Sequence, residues 1–167
     1  HSLASYLMDG IGKPDLIVDG YSSPHGFSMK PSHAKMLQNA DLIFWVGEDL
    51  ESFLEKPLSS IAKKAEKIEL MEIKGLNVLK FRERNIFEEH DHDDHGKKED
   101  DHDDHDDHEG HAHGEYDPHI WLDPMNAKVI LNEMVEHLIE NDPKNASKYK
   151  NNLKKALKDI DKLTMDV

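Results

Sequence analysis

The 167-residue chain is long enough for one domain with a buried core, but too short for two full domains. Its formal net charge of -14 is concentrated in residues 88–117, which contain 15 acidic and 2 basic residues. This block of carboxylates excludes a nucleic-acid partner, because phosphates are bound by clustered Lys and Arg. The absence of cysteine excludes disulfides and thiolate zinc sites, which leaves imidazole and carboxylate groups as the available metal ligands.

The first half of the chain alternates helix-like and strand-like segments. Residues 2–12 ("SLASYLMDGIG") have helical apolar spacing and end on glycine, and they follow His1 without an initiating Met or a signal peptide. We therefore expect the sequence to begin inside a fold. Three short runs predict strands: "PDLIVDG" (14–20), "ADLIFWVG" (40–47) and "EKIEL" (66–70). Two segments between them predict helices: "PSHAKMLQN" (31–39) and "LESFLEKPLSSIAKKA" (50–65). This alternation predicts an α/β fold with an open, mostly parallel sheet and flanking helices.

The last third of the chain predicts one further strand and two helices. "HIWL" (119–122) is interpreted as a strand, with His119 and Trp121 on one face. Asp123 then caps a helix over 123–141. A second Asp-Pro pair, beginning at Asp142, starts another helix that runs to about Met165 and spans roughly 35 Å. The far end of that helix has nothing in this chain to pack against, so we expect a second domain beyond it.

Eight histidines lie in the acidic segment, which we call the histidine loop (residues 88–117). They are His90, His92, His95, His102, His105, His108, His111 and His113. The segment is nearly free of apolar residues, so we predict that it is disordered without metal and that it binds Zn²⁺ with modest affinity and weak discrimination. The alternative is a purely solvated acidic loop.

His25 and His119 differ from the histidines of the loop. His25 lies in a polar turn after a candidate strand and before a candidate helix, where ligands of open α/β sheets bind. His119 is accompanied by Trp121, which either shields a metal from water or belongs to the core. A single histidine is more often a hydrogen-bonded residue than a ligand, and the residues alone do not pair these two. Asp123 is either a supporting residue beside a ligand or simply a helix cap.

Two further histidines, His33 and His137, fall within predicted helices, and we expect structural roles for them.

Two motifs flanking the histidine loop carry a family resemblance: "SSPHGFSMKPSHAKMLQNADLIFWVGEDLESFLEKP" before it and "DPHIWLDP" after it. Together they resemble the zinc-binding receptors of bacterial zinc ABC importers, the ZnuA-like members of the metal-binding lipoprotein and adhesin receptor family. The resemblance covers essentially the whole chain. It implies two α/β lobes joined by a long helix, with the metal in the cleft between them, and it implies that His25 and His119 are the ligands of the amino-terminal lobe.

The resemblance also implies a domain organisation. Residues 1–140 would form the amino-terminal metal-binding lobe without its first strand, residues 88–117 a disordered loop inserted in it, and residues 143–167 the start of the interlobe helix. The remaining ligands, which the family associates with the second lobe, have no counterpart in this sequence.

The function implied is that of a non-enzymatic carrier in the periplasm, or lipid-anchored outside the cytoplasm, which delivers Zn²⁺ to an ABC permease of the inner membrane. The histidine loop would be an auxiliary collector or sensor of zinc. Alternatives are a manganese receptor of the same family, or a metal-buffering or adhesion protein acting through the loop. A zinc hydrolase is disfavoured because the sequence has no H-E-x-x-H helix or comparable constellation.

Overall fold

The computed structural model describes residues 1–20, 22–81 and 115–165, and within them the chain forms a small parallel sheet flanked by helices. The helices are α1 (Ser2–Leu7), α2 (Pro31–Asn39), α3 (Glu48–Glu51), α4 (Glu55–Ser60), α5 (Pro124–Asn141) and α6 (Ala146–Met165). The strands are β1 (Leu42–Trp45) and β2 (Glu66–Glu69). Short 3-10 helices cover Ser52–Leu54, Leu70–Glu72, Ile120–Leu122 and Pro143–Asn145.

The sheet confirms the predicted parallel α/β arrangement. β1 and β2 pair in parallel, from Leu42 opposite Glu66 to Trp45 opposite Glu69, and the connection between them carries α3 and α4. Ile43 and Trp45 are buried, and each is 8% exposed. Parallel strands require such a crossover connection, and helices commonly provide it.

The strand predicted at residues 14–20 is wrong, because this segment forms bends and irregular backbone instead. A strand is stable only when a neighbouring strand pairs with its backbone, and the two strands of the described part of the chain pair with each other. Ile17 still packs against a core cluster, while Leu16 is 41% exposed. The apolar run therefore reflects partial burial rather than a sheet.

The predicted strand at 119–122 is also wrong, because it is the 3-10 helix Ile120–Leu122. The Leu122 backbone N–H donates to the His119 carbonyl at 3.2 Å, which closes a single turn. Pro118 has no backbone N–H, and that of His119 is taken by the Asp117 carboxylate at 2.9 Å. Two consecutive residues thus have no donor for a strand ladder.

The helix predicted over 50–65 is split into α3, a 3-10 turn and α4, which ends at Ser60. Glu51 has a non-helical backbone (φ -121°, ψ 45°), and its carboxylate accepts the Val46 N–H at 2.6 Å. Pro57 lacks an N–H and restricts the residue before it. The segment is helical over part of its length, as predicted, but the prediction of one continuous helix to residue 65 is wrong.

Within residues 1–20, 22–81 and 115–165, two apolar clusters form the core. The larger one joins α1, α5 and α6, and its members include Leu7, Ile130 and Leu131, each 0% exposed. The smaller one lies around α2, β1 and α4. The shared face of α5 therefore organises most of the carboxyl-terminal half of the chain.

The two Asp-Pro helix starts differ in detail. Asp123 confirms the predicted cap, since its Oδ1 accepts the Met125 N–H at 2.7 Å. Asp142 instead accepts the Asn145 side-chain amide at 2.7 Å, and a 3-10 turn precedes α6. α6 spans roughly 30 Å, and Leu163 and Met165 near its end are 58% and 82% exposed.

None of the helices in the described ranges has both the length and the apolar character needed to cross a membrane.

Asn152 connects α6 to the end of α1. Its side-chain amide donates to the Leu7 and Asp9 carbonyls, each at 2.9 Å, and the residue is 6% exposed. We expect Asn152→Ala to lower the free energy of unfolding by about 1–3 kcal/mol, because these carbonyls lose their donor. Urea unfolding followed by circular dichroism measures the change. Asn151→Ala, at the adjacent exposed position, should change the free energy of unfolding by no more than about 0.5 kcal/mol. Equal effects of the two variants would contradict the role of Asn152 in connecting α6 to α1.

Candidate metal centre

His119 is held in place by its two neighbours in the sequence. Pro118 is fully buried and Ile120 is 4% exposed, whereas the His119 side chain between them is 39% exposed. The 3-10 turn that follows packs directly against α5. The backbone of His119 is therefore anchored on both sides, while its ring faces outward.

Asp117 fixes the orientation of the His119 ring. One carboxylate oxygen, Oδ1, accepts both the His119 backbone N–H at 2.9 Å and the ring Nδ1–H at 2.6 Å. The backbone N–H of His119, and after it the ring N–H, hold the pKa of Asp117 below its usual range. With Nδ1 protonated, Nε2 carries the lone pair that a metal requires.

Asp117 was missed as a functional residue from the sequence alone. The signal was present, because an aspartate two residues before a histidine, with a proline between them, restricts the chain to a short turn. Without the structure, however, the same aspartate is equally consistent with an ordinary turn residue.

His25 lies in an exposed turn rather than on a helix or strand. Its backbone N–H donates to Ser23 Oγ at 3.2 Å, and Gly26 follows it with φ of 72°, a conformation that favours glycine. Phe27 then contacts the rings of His33 and Phe53, with centroids 5.4 and 5.0 Å away. Phe27, two residues after His25, thus packs the turn against α2 and against the 3-10 helix Ser52–Leu54.

The fold brings His25 and His119 together, although they are far apart in the sequence. Their ring centroids are 6.0 Å apart and the ring planes are inclined by 44°. Two imidazoles on one tetrahedral ion, with metal–nitrogen distances near 2.0–2.1 Å, place their centroids about 5 Å apart. A small movement of the exposed His25 turn would bring both rings within reach of a single ion.

The two predicted supporting residues have different surroundings. The Trp121 ring lies 5.3 Å from the His119 ring and is 38% exposed, so it covers one side of the imidazole without belonging to the core. The hydrogen bond of the Asp123 side chain is the α5 cap to Met125. Asp123 thereby acts on the position of α5, and Asp117 contacts the candidate ligand His119.

Other histidines of the chain have different surroundings. His33 accepts the Lys30 backbone N–H through Nδ1 at 3.2 Å, which is the structural role predicted for it. His137 lies on α5 beside Glu66 and Glu133. The eight histidines of the loop lie outside the described residues, so their predicted role as metal ligands stays a prediction.

The whole chain, residues 1–167, matches the family described as zinc-uptake complex component A, periplasmic, or ZnuA. The chain belongs to the ZnuA family. It is 47% identical over 180 residues to the high-affinity zinc uptake system protein ZnuA of Brucella abortus (strain 2308), which covers 100% of this chain and 54% of that protein. The ZnuA of Paracoccus denitrificans (strain Pd 1222) is 36% identical over 170 residues, covering 95% and 50%.

Solved structures agree on the fold. A manganese-bound periplasmic metal-binding protein from Candidatus Liberibacter asiaticus superposes with a TM-score of 0.68 at 22% identity, covering 94% of this chain and 48% of that one. Zinc-bound AdcA from Streptococcus pneumoniae gives 0.67 at 17% identity, covering 97% and 28%. The chain thus spans about half the length of the curated ZnuA proteins that it matches. The ZnuA family is described as the periplasmic component A of a zinc-uptake complex, so the predicted family and periplasmic location are confirmed.

The hydrogen bond from His119 to Asp117 predicts a fixed tautomer. In the metal-free chain with a neutral ring, we expect Nδ1 of His119 to be protonated and Nε2 to be bare. Ring ¹⁵N chemical shifts measure this directly. Asp117→Ala should abolish this preference, because the acceptor at 2.6 Å is gone. Asp41→Ala removes an exposed carboxylate elsewhere and should leave the His119 shifts unchanged. A bare Nδ1 in the unaltered chain would show that the orientation inferred for the ring is incorrect.

Proposed function

We propose that this chain is the metal-capturing part of a receptor that binds Zn²⁺ in the periplasm and delivers it to an ABC permease. The observation that carries the proposal is the approach of the His25 and His119 rings, with centroids 6.0 Å apart. His119 has one ring nitrogen engaged by a carboxylate at 2.6 Å, which leaves the other for the ion. Both residues keep the site accessible from solvent, as capture of a dissolved ion requires.

The proposed capture uses a partly prepared site. Asp117 orients His119 before the ion arrives, so little ordering entropy is lost at that ligand. His25 lies on an exposed turn and contributes the adjustable ligand. Two imidazoles leave a tetrahedral Zn²⁺ with two open positions. A second lobe, supplied by the part of the protein beyond this chain, would fill them and enclose the ion.

Zinc is favoured as the cargo over manganese by the chemistry of the ligands. Imidazole nitrogen suits Zn²⁺, whereas Mn²⁺ prefers carboxylate and water oxygens. The curated relatives bear the name of high-affinity zinc uptake proteins, while the structures of similar fold include manganese-, cadmium- and zinc-bound proteins. A manganese receptor is the alternative, and it would require oxygen ligands from the second lobe.

The histidine loop is proposed as an auxiliary zinc collector or sensor. Its eight imidazoles alternate with carboxylates, so it offers many weak sites close together in the sequence. Binding there raises the local concentration of zinc without imposing one coordination geometry. If the loop were instead the main binder, the protein would act as a metal buffer or an adhesion protein.

If His25 and His119 bind the zinc ion, removal of both side chains should abolish tight zinc binding. In a zinc titration against a chromophoric chelator, the variant His25→Ala with His119→Ala should lose its tightest class of site and keep the weaker ones. The zinc affinity of this class should fall by more than about 10- to 100-fold, which is the usual effect of changing a residue that only supports a ligand. Lys35→Ala with Gln38→Ala is the control, because both side chains are exposed on α2 and belong to neither candidate site. Overlaying curves for the double variant and the unaltered chain would contradict the assignment.

Deletion of residues 90–113 tests whether tight zinc binding belongs to His25 and His119 and weak binding to the histidine loop. We expect the tight class of site to survive, because His25 and His119 lie outside the deleted segment, and the number of weak sites to fall sharply. The same chelator titration, with stoichiometry checked by elemental analysis, measures both quantities. Loss of the tight class on deletion would favour the metal-buffering alternative instead.

A further inference from the structure

A second group of metal-ligating side chains lies where the carboxyl-terminal half of α5 meets the beginning of β2. His137 is on α5, and Glu66 reaches it from β2. Glu133 and Glu140 precede and follow His137 by four and three residues, so all three share one face of the helix. Glu66 and Glu140 are exposed, and the His137 side chain is 19% exposed. This cluster contains neither His25 nor His119.

The atoms of the cluster are close enough to share one ion. His137 Nδ1 lies 2.8 Å from Glu66 Oε1. One ligand atom each from Glu66, His137 and Glu140 falls within 4.8 Å of the others. Ligand atoms on a tetrahedral zinc ion, with bonds of 2.0–2.2 Å, are separated by about 3.3 Å. Rotation of the two exposed glutamates would supply the remaining adjustment.

The two ring nitrogens of His137 both face carboxylates. Nδ1 faces Glu66, and Nε2 lies 3.4 Å from Glu133 Oε1. A neutral imidazole has one N–H, so it donates to only one of these groups and presents a lone pair to the other. That second contact is repulsive unless a proton or a cation lies between the two atoms. In the described part of the chain, no lysine or arginine forms an ion pair with any of the three glutamates.

We propose that Glu66, His137 and Glu140 bind a divalent cation of the zinc class, and that Glu133 holds the opposite ring nitrogen of His137. A carboxylate on the second nitrogen is the usual arrangement behind a metal-bound histidine. One imidazole with two carboxylates suits Zn²⁺ and its neighbours rather than Ca²⁺ or Mg²⁺. The ion joins β2 to α5 and replaces the repulsion between the Glu66 and Glu140 carboxylates with shared coordination. The site does not depend on the proposed zinc capture at His25.

The test follows His137 individually, because the histidine loop also binds zinc. The full chain is labelled with ¹⁵N in its histidines and titrated with Zn²⁺ alone. The titration continues until the molar concentration of zinc exceeds that of all 13 histidines of the chain together. His137→Gln assigns the His137 ring signals. We expect the Nδ1 signal of His137 to move to a metal-bound position and Nε2 to remain protonated towards Glu133.

Two charge-matched variants decide whether the cluster is a site. Glu140→Gln should weaken the zinc-dependent change at His137 by about 10-fold or more, because it removes a ligand from an exposed position and leaves the core intact. Glu136→Gln, an exposed residue on the same helix outside the cluster, should leave the affinity unchanged. The proposal is overturned if the His137 signals do not respond to zinc, since His137 is then only an ion-pair partner of the glutamates. It is equally overturned if Glu140→Gln and Glu136→Gln behave alike.

Discussion

The burial of one face of α5 is the constraint on which the rest of the chain depends. Ile130 and Leu131 are fully buried, and the cluster around them holds α1 and α6 against this helix. Its first turn is capped by Asp123, directly after the segment that carries His119. A helix fixed in this way determines where the segment that carries the candidate ligand His119 ends, so core packing and the position of His119 are set by the same element.

Much of this organisation could be predicted from local patterns. The Asp-Pro pair at 123–124 predicts the start of α5, because the cap and the first turn are decided by neighbouring residues. The β-branched and aromatic run around Ile43 predicts β1 for a similar reason. One local pattern failed for a tertiary reason. Residues 14–20 have the composition of a strand, but their pairing depends on a neighbour that no local pattern reveals.

The pairing of His25 with His119 could not be derived from periodicity or composition. They are separated by the histidine loop, and each alone has the surroundings of an ordinary polar residue. Family resemblance was what selected them, and the structure brings their rings to 6.0 Å. The physical basis is indirect: Phe27 packs the His25 turn onto α2 and the 3-10 helix Ser52–Leu54, while Ile120 packs the His119 segment onto the core. Two separate contacts of apolar side chains therefore position the two candidate ligands.

The carboxylates beside His119 and His137 show how far sequence reasoning reaches. Asp117 acts on a histidine two residues away, through a turn with proline between them, so its role is encoded within three residues. Glu66 acts on His137 across 71 residues, and only the packing of β2 beside α5 brings them together. Helical spacing alone places Glu133 and Glu140 on the same face as His137. It does not show that Glu66 of β2 completes the cluster. A site assembled by tertiary packing is thus hidden in the sequence even when most of its residues lie on one helix.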